Sequence, residues 1–155
     1  MRDVSGDHDF DAIWREAGPA IWRAVLVYAG GRRAIADDAV AEAFARAIER
    51  SDSIREPVGY LYRVAFRVAA GDLKRSDIAA EPEDRAITDA VEDQDMLRAM
   101  MRLSPAQRGA IYLHYRADLP VREVASMLGT SSATVKVHLM RGRRRLADLL
   151  AEDEA

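Results

Sequence analysis

Apolar residues recur at steps of three and four along most of the chain, and this spacing predicts α-helices rather than strands. The first apolar stripe consists of Phe10, Ile13, Trp14, Ala17 and Ile21. It follows Asp9, a residue type whose carboxylate caps helix N-termini. The pair Gly30-Gly31 ends the apolar stretch that follows, since glycine readily adopts the conformation that terminates a helix. We therefore expect a helix that begins after Asp9.

Two more helices are predicted in the first half of the chain. One runs from Ala36 to Arg50. Its apolar face is formed by Val40, Phe44, Ala47 and Ile48. After the break at Pro57-Val58-Gly59, another helix runs from about Tyr60 to Lys74. Because no segment alternates strictly between apolar and polar residues, the predicted fold class is all-α.

The second half begins with an explicit helix start. Ser104 and Gln107 have the spacing of a capping box, with Pro105 at the first helical position between them. The helix that they open should reach about Tyr115. The sequence Asp118-Leu119-Pro120 then turns the chain.

Two further helices flank Gly129 in the manner of a helix-turn-helix. The first is Val121–Leu128, and the second begins after a cap at Ser131 or Ser132 and reaches about Leu150. Gly129 suits the turn because the left-handed conformation at a helix C-terminus costs glycine little. The residues expected to pack where these helices cross are Val124, Ala125, Leu128 and Val135.

A projection at 100° per residue divides the last helix into an inner and an outer face. The inner face carries Val135, Leu139, Gly142, Leu146 and Leu150. The outer face carries Ala133, Lys136, Val137, Met140, Arg141 and Arg144. From Lys136 to Arg145 there are five cations and no anion, whereas a merely solvated helix would normally mix the two signs. Small residues followed by Lys and Arg suit the major groove of DNA, with Lys136 at base edges and the arginines at phosphates.

Charge is distributed unevenly between the two halves. Of the 155 residues, 49% are hydrophobic, which excludes the composition of a disordered protein. The net charge of −3 excludes a surface that is basic throughout and binds nucleic acid everywhere. Residues 77–95 are strongly acidic and residues 96–147 strongly basic. The sequence therefore predicts a helical domain at residues 1–75, an acidic linker at 76–95 and a DNA-binding domain at 96–155.

Smaller signals concern chemistry and location. The chain has no cysteine, so disulfides, thiolate metal sites and cysteine nucleophiles are excluded. His8, His114 and His138 lack the spacing of a zinc-binding motif, and no glycine-rich phosphate loop is present. Neither a secretory signal nor an uninterrupted apolar run of membrane-spanning length is visible. We expect a cytoplasmic protein with no enzymatic activity, no metal, no cofactor and no membrane insertion.

In the predicted second helix, Asp37, Asp38 and Glu42 lie at the start or on the flank, where carboxylates suit the positive end of the helix dipole. A resemblance of nearly the whole chain to a known family suggests a function for these three carboxylates. Region 4 of the extracytoplasmic-function (ECF) group of sigma-70-type transcription initiation factors resembles LSPAQRGAIYLHYRADLPVREVASMLGTSSATVKVHLMRGRRRLADLL. Region 2 of that family is similar to FDAIWREAGPAIWRAVLVYAGGRRAIADDAVAEAFARAI followed by PVGYLYRVAFRVAAGDLKR.

The resemblance implies a dissociable subunit of bacterial core RNA polymerase that reads promoter DNA. Region 2 of the family binds the polymerase clamp and opens the −10 element, and region 4 binds the −35 element and the polymerase flap. The residues that this implies for polymerase binding are Asp37, Asp38 and Glu42. For the −10 element they are Tyr60, Arg63, Arg67, Lys74 and Arg75. For the −35 element they are Ser132, Ala133, Thr134, Lys136, Val137, His138, Arg141 and Arg144. The resemblance leaves open whether an anti-sigma factor also binds.

Two alternative functions remain open from the sequence. The string TVKVHL also resembles the recognition helix of LuxR-type output domains, so a helix-turn-helix regulator that binds operators without polymerase is one alternative. Such domains lack the RGRRRL continuation. The second alternative is a sigma-like decoy that only sequesters an anti-sigma protein. It is motivated by departures from the family pattern in the −10 segment, such as Arg67 and Gly71.

Overall fold

A computed structural model describes residues 8–76 and 91–154 of the chain. The α-helices in these two ranges are α1 (Phe10–Tyr28), α2 (Arg33–Glu49), α3 (Pro57–Arg75), α4 (Gln94–Met101), α5 (Pro105–Ile111), α6 (Val121–Leu128) and α7 (Ser132–Glu154). A short 3-10 helix at Ser51–Ser53 precedes α3, and a π-helical segment at Tyr112–Arg116 follows α5. No strand occurs in residues 8–76 or 91–154, so the predicted all-α class is confirmed. Of the predicted acidic linker, residues 77–90 lie outside the described residues.

The ends of α1 follow the predicted local chemistry. The backbone N–H of Ala12 donates to the Asp9 carboxylate at 3.1 Å, which makes Asp9 the N-cap. After Tyr28 the chain leaves the helix through Gly30 and Gly31, whose φ angles are +69° and +87°. These positive values favour glycine, so the Gly-Gly pair fixes where α1 stops.

Helix α2 begins at Arg33, three residues before the predicted start at Ala36. Asp37 therefore lies beyond the first turn, and the expectation that the carboxylates sit at the positive end of the dipole is wrong. The expected burial of Ile48 is also wrong, because its side chain is 59% exposed. At 100° per residue, Ile48 lies about 140° around the helix from Ala43, which is fully buried at the centre of the inner face.

Small residues let α2 pack closely along α3. The buried face of α2 consists of Ile35, Ala36, Ala39, Val40, Ala43 and Ala47. Four of these six are alanines, which leave little side-chain bulk between the two helices. Facing them, α3 buries Leu61, Ala65 and Phe66. The N-terminal half is thus a three-helix unit in which α2 and α3 pack closely against each other.

The C-terminal half begins with two capped helices. The Asp93 carboxylate accepts from the backbone N–H groups of Asp95 at 2.9 Å and Met96 at 3.3 Å, so one residue of the acidic stretch caps α4. The predicted capping box of α5 is present, with both reciprocal bonds between Ser104 and Gln107 at 3.2 and 3.3 Å. Beyond Ile111 the chain widens into a π-helical turn, which the sequence pattern did not predict.

Helices α6 and α7 form the predicted helix-turn-helix. Gly129 has a φ of +68°, and the backbone N–H of Thr130 donates to the Ala125 carbonyl at 3.0 Å. The cap of α7 is Ser131, whose hydroxyl accepts from the Thr134 backbone N–H at 3.1 Å. The expected crossing residues Val124, Ala125 and Val135 are buried. Leu128 is half-buried against the core.

The far end of α7 differs from the sequence prediction. The helix extends to Glu154, and Leu149 rather than Leu150 is buried. Measured from Val135 at 100° per residue, Leu149 lies about 40° off the inner stripe and Leu150 about 60° off on the other side. Leu149, which deviates less from the inner stripe, is buried in the core, and Leu150 is half-buried beside it.

The two halves pack against each other along what we call the inter-half interface. This interface is formed by α1 and α3 on one side and by α5 and α6 on the other. Buried residues of both halves belong to one hydrophobic cluster, with Tyr28 and Phe66 from the first half and Leu113 and Val124 from the second. The described residues therefore share a continuous core.

Candidate nucleic-acid and polymerase-binding surfaces

The predicted −35-reading residues lie together on one outward face of α7. Those with exposed side chains are Ser132, Ala133, Lys136, Val137, Arg141 and Arg144. Thr134 and His138 are half-buried at the edge of this face. The Thr134 hydroxyl accepts a hydrogen bond from the Ser131 hydroxyl at 2.9 Å, so Thr134 helps to order the start of the helix. The structure brings the predicted set together on one helix.

Cations dominate this face. Within α7 the first acidic residue is Asp148, so Lys136 and Arg141 have no anionic residue within four positions, and Arg144 has only Asp148, four residues later. Arg143 donates to the Tyr115 hydroxyl and is thereby directed toward the π-helical segment. A phosphate backbone would meet a concentrated positive surface at this helix.

Two apolar side chains on the same face are unusually exposed. Val137 is 38% exposed and Met140, three residues later, is 49% exposed. Apolar side chains on a DNA-reading helix contact the methyl group of thymine. Met140 was not among the predicted site residues. The signal that could have found it is an apolar residue projecting onto the outer face of the helix.

The predicted −10-reading residues are spread along α3. Tyr60 is half-buried against the core, and Arg63 is half-buried at the inter-half interface. Arg67, Lys74 and Arg75 are exposed, and Arg75 pairs with Asp72. From Tyr60 to Arg75 the helix rises about 22 Å, so these side chains form a line rather than a cluster.

The predicted polymerase-binding carboxylates are exposed on α2, and two of the three already have partners. Trp22 donates its indole N–H to Asp37 at 2.8 Å, and the Arg33 guanidinium lies 5.5 Å from the Trp22 ring centroid. No sequence pattern predicts this contact between α1 and α2. Glu42 accepts from Arg46 at 2.8 Å, a pair that the spacing of four residues could have predicted.

Three tyrosines near the inter-half interface are perturbed by burial. Burial raises the pKa of Tyr28, of Tyr62 and of Tyr112, because the phenolate is less stable away from water. The Arg23 guanidinium opposes this rise in pKa at Tyr62 and Tyr112, and it hydrogen-bonds Tyr112. At neutral pH these phenols are protonated and serve as packing groups.

Neither a metal-binding cluster nor a membrane-spanning helix occurs in residues 8–76 and 91–154. The histidine and carboxylate side chains there form no group of three or more that could hold a metal ion. Among the helices in those residues, none has the length and apolar content needed to cross a membrane.

The comparisons with known proteins agree with this geometry. A family described as "Sigma-70, region 4" matches residues 93–146, which contain α6, the turn at Gly129 and α7 as far as Leu146. The ECF RNA polymerase sigma factor BldN of Streptomyces coelicolor is 26% identical over 172 residues, covering 98% of this chain and 64% of BldN. The chain is similar to an ECF sigma factor over nearly its whole length, and to region 4 of the sigma-70 family over residues 93–146. The matched residues comprise α4, α5, α6 and α7 as far as Leu146.

Two further relatives extend the comparison. RNA polymerase sigma factor SigV of Bacillus subtilis is 24% identical over 127 residues, covering 76% of each protein. Sigma factor RpoE of Bartonella quintana, solved in complex with the anti-sigma factor NepR, has the same fold. The two structures agree with a TM-score of 0.70 at 22% identity, over 92% of this chain and 97% of RpoE. The chain spans just under two thirds of the length of BldN.

Proposed function

We propose that this chain is a promoter-specificity subunit of bacterial RNA polymerase. In this proposal, residues 1–75 act as region 2 and bind the polymerase clamp and the −10 element. Residues 96–155 act as region 4 and bind the −35 element, and the acidic residues 76–95 link the two. The function is one of binding and positioning in the cytoplasm, with the catalytic step carried out by the polymerase.

The observation that carries this proposal is the outer face of α7. It presents small residues, then Lys136, then Arg141 and Arg144, with exposed Val137 between them. A helix-turn-helix places its second helix in the major groove, with the N-terminal residues of that helix at base edges. The order of residues along α7 therefore supports base contacts at the start of the helix and phosphate contacts further on.

The surface of α2 supports polymerase binding. Asp37, Asp38 and Glu42 lie within about one and a half turns and are all exposed. The indole of Trp22 holds the Asp37 carboxylate in one orientation, and an oriented carboxylate suits a basic partner surface. An anti-sigma factor is a further proposed partner, by analogy with RpoE and NepR.

The two alternatives make different predictions. A LuxR-type regulator would bind DNA specifically without polymerase, but the similarity to sigma factors over nearly the whole chain favours the sigma proposal. A sigma-like decoy would bind an anti-sigma factor and never support initiation. A LuxR-type regulator does not account for an exposed acidic helix face and an exposed basic helix face in one small chain, whereas a decoy differs from a sigma factor only in its failure to support initiation.

In vitro transcription with purified core RNA polymerase on a promoter library tests the proposal. We expect initiation that depends on the added chain and selects a subset of promoters. The free chain should bind the same promoters weakly, since only a few cations face the DNA. Tight, specific binding by the free chain would support the regulator instead. No initiation on any promoter, with core binding intact, would support the decoy.

A further inference from the structure

The outward face of α7 has an apolar centre. The inward direction of this helix is marked by its five buried residues, Val135, Leu139, Gly142, Leu146 and Leu149. At 100° per residue, the direction opposite to their mean passes within about 20° of Val137 and within about 40° of Met140. These two residues therefore lie on the side of α7 that faces away from the protein core.

The packing of the described residues does not use these two side chains. Both are exposed, and neither belongs to the hydrophobic cluster of residues 8–76 and 91–154 or to the half-buried side chains packed against that cluster. Because they are three residues apart on one helix, they are neighbours on its surface. Water offers no favourable contact to two adjacent apolar groups, so their apolar character indicates a partner that covers them.

Cations lie on both sides of this apolar pair. Lys136 lies about 80° from the outward direction on one side, and Arg141 lies about 60° from it on the other. Both cationic side chains are exposed. Arg144 takes the next outward position, about 6 Å further along the helix axis than Met140, and ends the apolar centre. Apolar residues between cations match the major groove of DNA, in which the base edges lie between two phosphate backbones.

The floor of the major groove offers one apolar group, which is the methyl group at C5 of thymine. The other groups on the base edges donate or accept hydrogen bonds, and an apolar side chain packed over them would leave them without partners. Valine has no side-chain hydrogen-bonding group, and the methionine sulfur accepts only weakly. Val137 and Met140 therefore favour base pairs that contain thymine.

The spacing of the two residues matches the spacing of neighbouring base pairs. Three residues correspond to a rise of about 4.5 Å along the helix, and successive base pairs of DNA are about 3.4 Å apart. Ala133 lies one turn before Val137 on the same outward face and is exposed. Its small side chain leaves room for this part of α7 to approach the groove closely.

We propose that Val137 and Met140 read the thymine methyl groups of two neighbouring A·T base pairs in the −35 element. This inference rests on the DNA-binding role of α7 in the function proposed above. Lys136 and the arginines then make hydrogen bonds and phosphate contacts on either side of an apolar contact that selects thymine. Met140 is thereby a residue that determines promoter specificity.

Replacement of thymidine by deoxyuridine tests the proposal, because uracil lacks the C5 methyl group and keeps the hydrogen-bonding groups of thymine. The complex of the chain with core polymerase first selects its preferred −35 element from a randomised library. Each thymidine of that element, on either strand, is then replaced singly, and the affinities are compared. We expect about a fourfold loss of affinity at each of two neighbouring base pairs, which is the effect of one buried methyl group. Deoxyuridine outside the −35 element should have no effect.

Substitutions in α7 assign each loss to a side chain. Met140→Gln keeps the length of the side chain but makes it polar, and it should remove the sensitivity to deoxyuridine at one of the two base pairs. Val137→Ser should remove the sensitivity at the other. Met140→Leu is the matched control, because it stays apolar and should keep the sensitivity of the wild type. Since both positions are exposed, the melting temperature of all three variants should be almost unchanged.

Two results would overturn the proposal while leaving the proposed function intact. One is a −35 element that the complex binds specifically but that contains no thymine, or whose affinity does not respond to deoxyuridine. The other is a loss that persists in both Met140→Gln and Val137→Ser, because the methyl groups would then act through the shape of the DNA.

Failure of the proposed function has a different signature. Specific binding by the free chain, without any initiation by polymerase, would refute the promoter-specificity role. The same deoxyuridine replacements in the operator that the free chain binds would then decide whether Val137 and Met140 read thymine. If neither the free chain nor its mixture with core polymerase selects any DNA sequence, the proposed function and this inference are both wrong.

Discussion

The division of labour along α7 can be tested with one pair of substitutions. Lys136 is exposed one turn after the Ser131 cap, and Arg144 follows eight residues later. Eight residues correspond to about 12 Å along a helix axis. The major groove is itself about 12 Å wide, so a helix that enters with its N-terminal end has Arg144 near the groove edge. We predict that Lys136 reads bases and that Arg144 contacts phosphate.

Lys136→Ala should affect DNA binding in a sequence-dependent way, whereas Arg144→Ala should affect it independently of sequence. Lys136→Ala should make the free energy of binding to the preferred −35 sequence less favourable by about 1–3 kcal/mol, which is about a 5- to 150-fold loss of affinity. It should also relax the sequence preference at one or two base pairs of the −35 element. Arg144→Ala should weaken all sequences about equally. It should also reduce the slope of log affinity against log salt by about 0.9, the contribution of one phosphate contact.

Binding of the complex with core polymerase to promoters with a randomised −35 element, at two salt concentrations, measures both effects. Arg102→Ala is the matched control, because Arg102 is an exposed arginine at the C-cap of α4. Its ion-pair partner is Glu152, 3.9 Å away near the C-terminal end of α7, far from the residues that are tested. The reasoning is refuted if Lys136→Ala leaves the base preference intact. Val137 and His138 would then be the better candidates for base contacts.

Three further predictions concern stability and the acidic helix face. Leu149→Ala should lower the unfolding free energy by about 2–5 kcal/mol and Leu150→Ala by roughly 1 kcal/mol, as measured by urea denaturation, because only the first is fully buried. Reversing Asp38 and Glu42 to lysine should weaken core binding at least about tenfold with an almost unchanged melting temperature, and a parallel loss of helicity would instead make them structural. Because burial raises the pKa of Tyr62 in the folded state, the protonated phenol stabilises the fold below pH 10, and this stabilisation is lost as the pH rises and the phenol ionises. The unfolding free energy of Tyr62→Phe should therefore fall less between pH 9 and pH 11 than that of the wild type.

Local chemistry explains which parts of the fold were predictable. The capping box at Ser104, the turn at Gly129 and the cap at Asp9 each depend on residues within four positions, so the sequence contains the whole interaction. The outer face of α7 was predictable for a similar reason. A projection at 100° per residue needs only the helix to be regular, and the structure exposes Lys136 and Arg144 as expected.

Long-range contacts explain most of what could not be predicted. Two of the three carbonyl acceptors of Arg108, Val27 and Tyr28, lie 81 and 80 positions away, and nothing in the sequence around Arg108 distinguishes it from a solvated arginine. The bond between Trp22 and Asp37 joins two helices across a Gly-Gly turn and has no local signature. The π-helical turn after Ile111 shifts the helix by part of a turn, which periodicity alone does not detect.

The carbonyl acceptors of Arg108 give the inter-half contact an unusual genetic property. Val27 and Tyr28 supply main-chain oxygens, which every amino acid at those positions would also supply. A mutational scan of α1 would therefore register changes in packing but would not reveal the hydrogen bonds. Variation can remove the contact only from the Arg108 side. Mutations that free the chain from this contact should consequently be concentrated in α5, although half of the interacting atoms belong to α1.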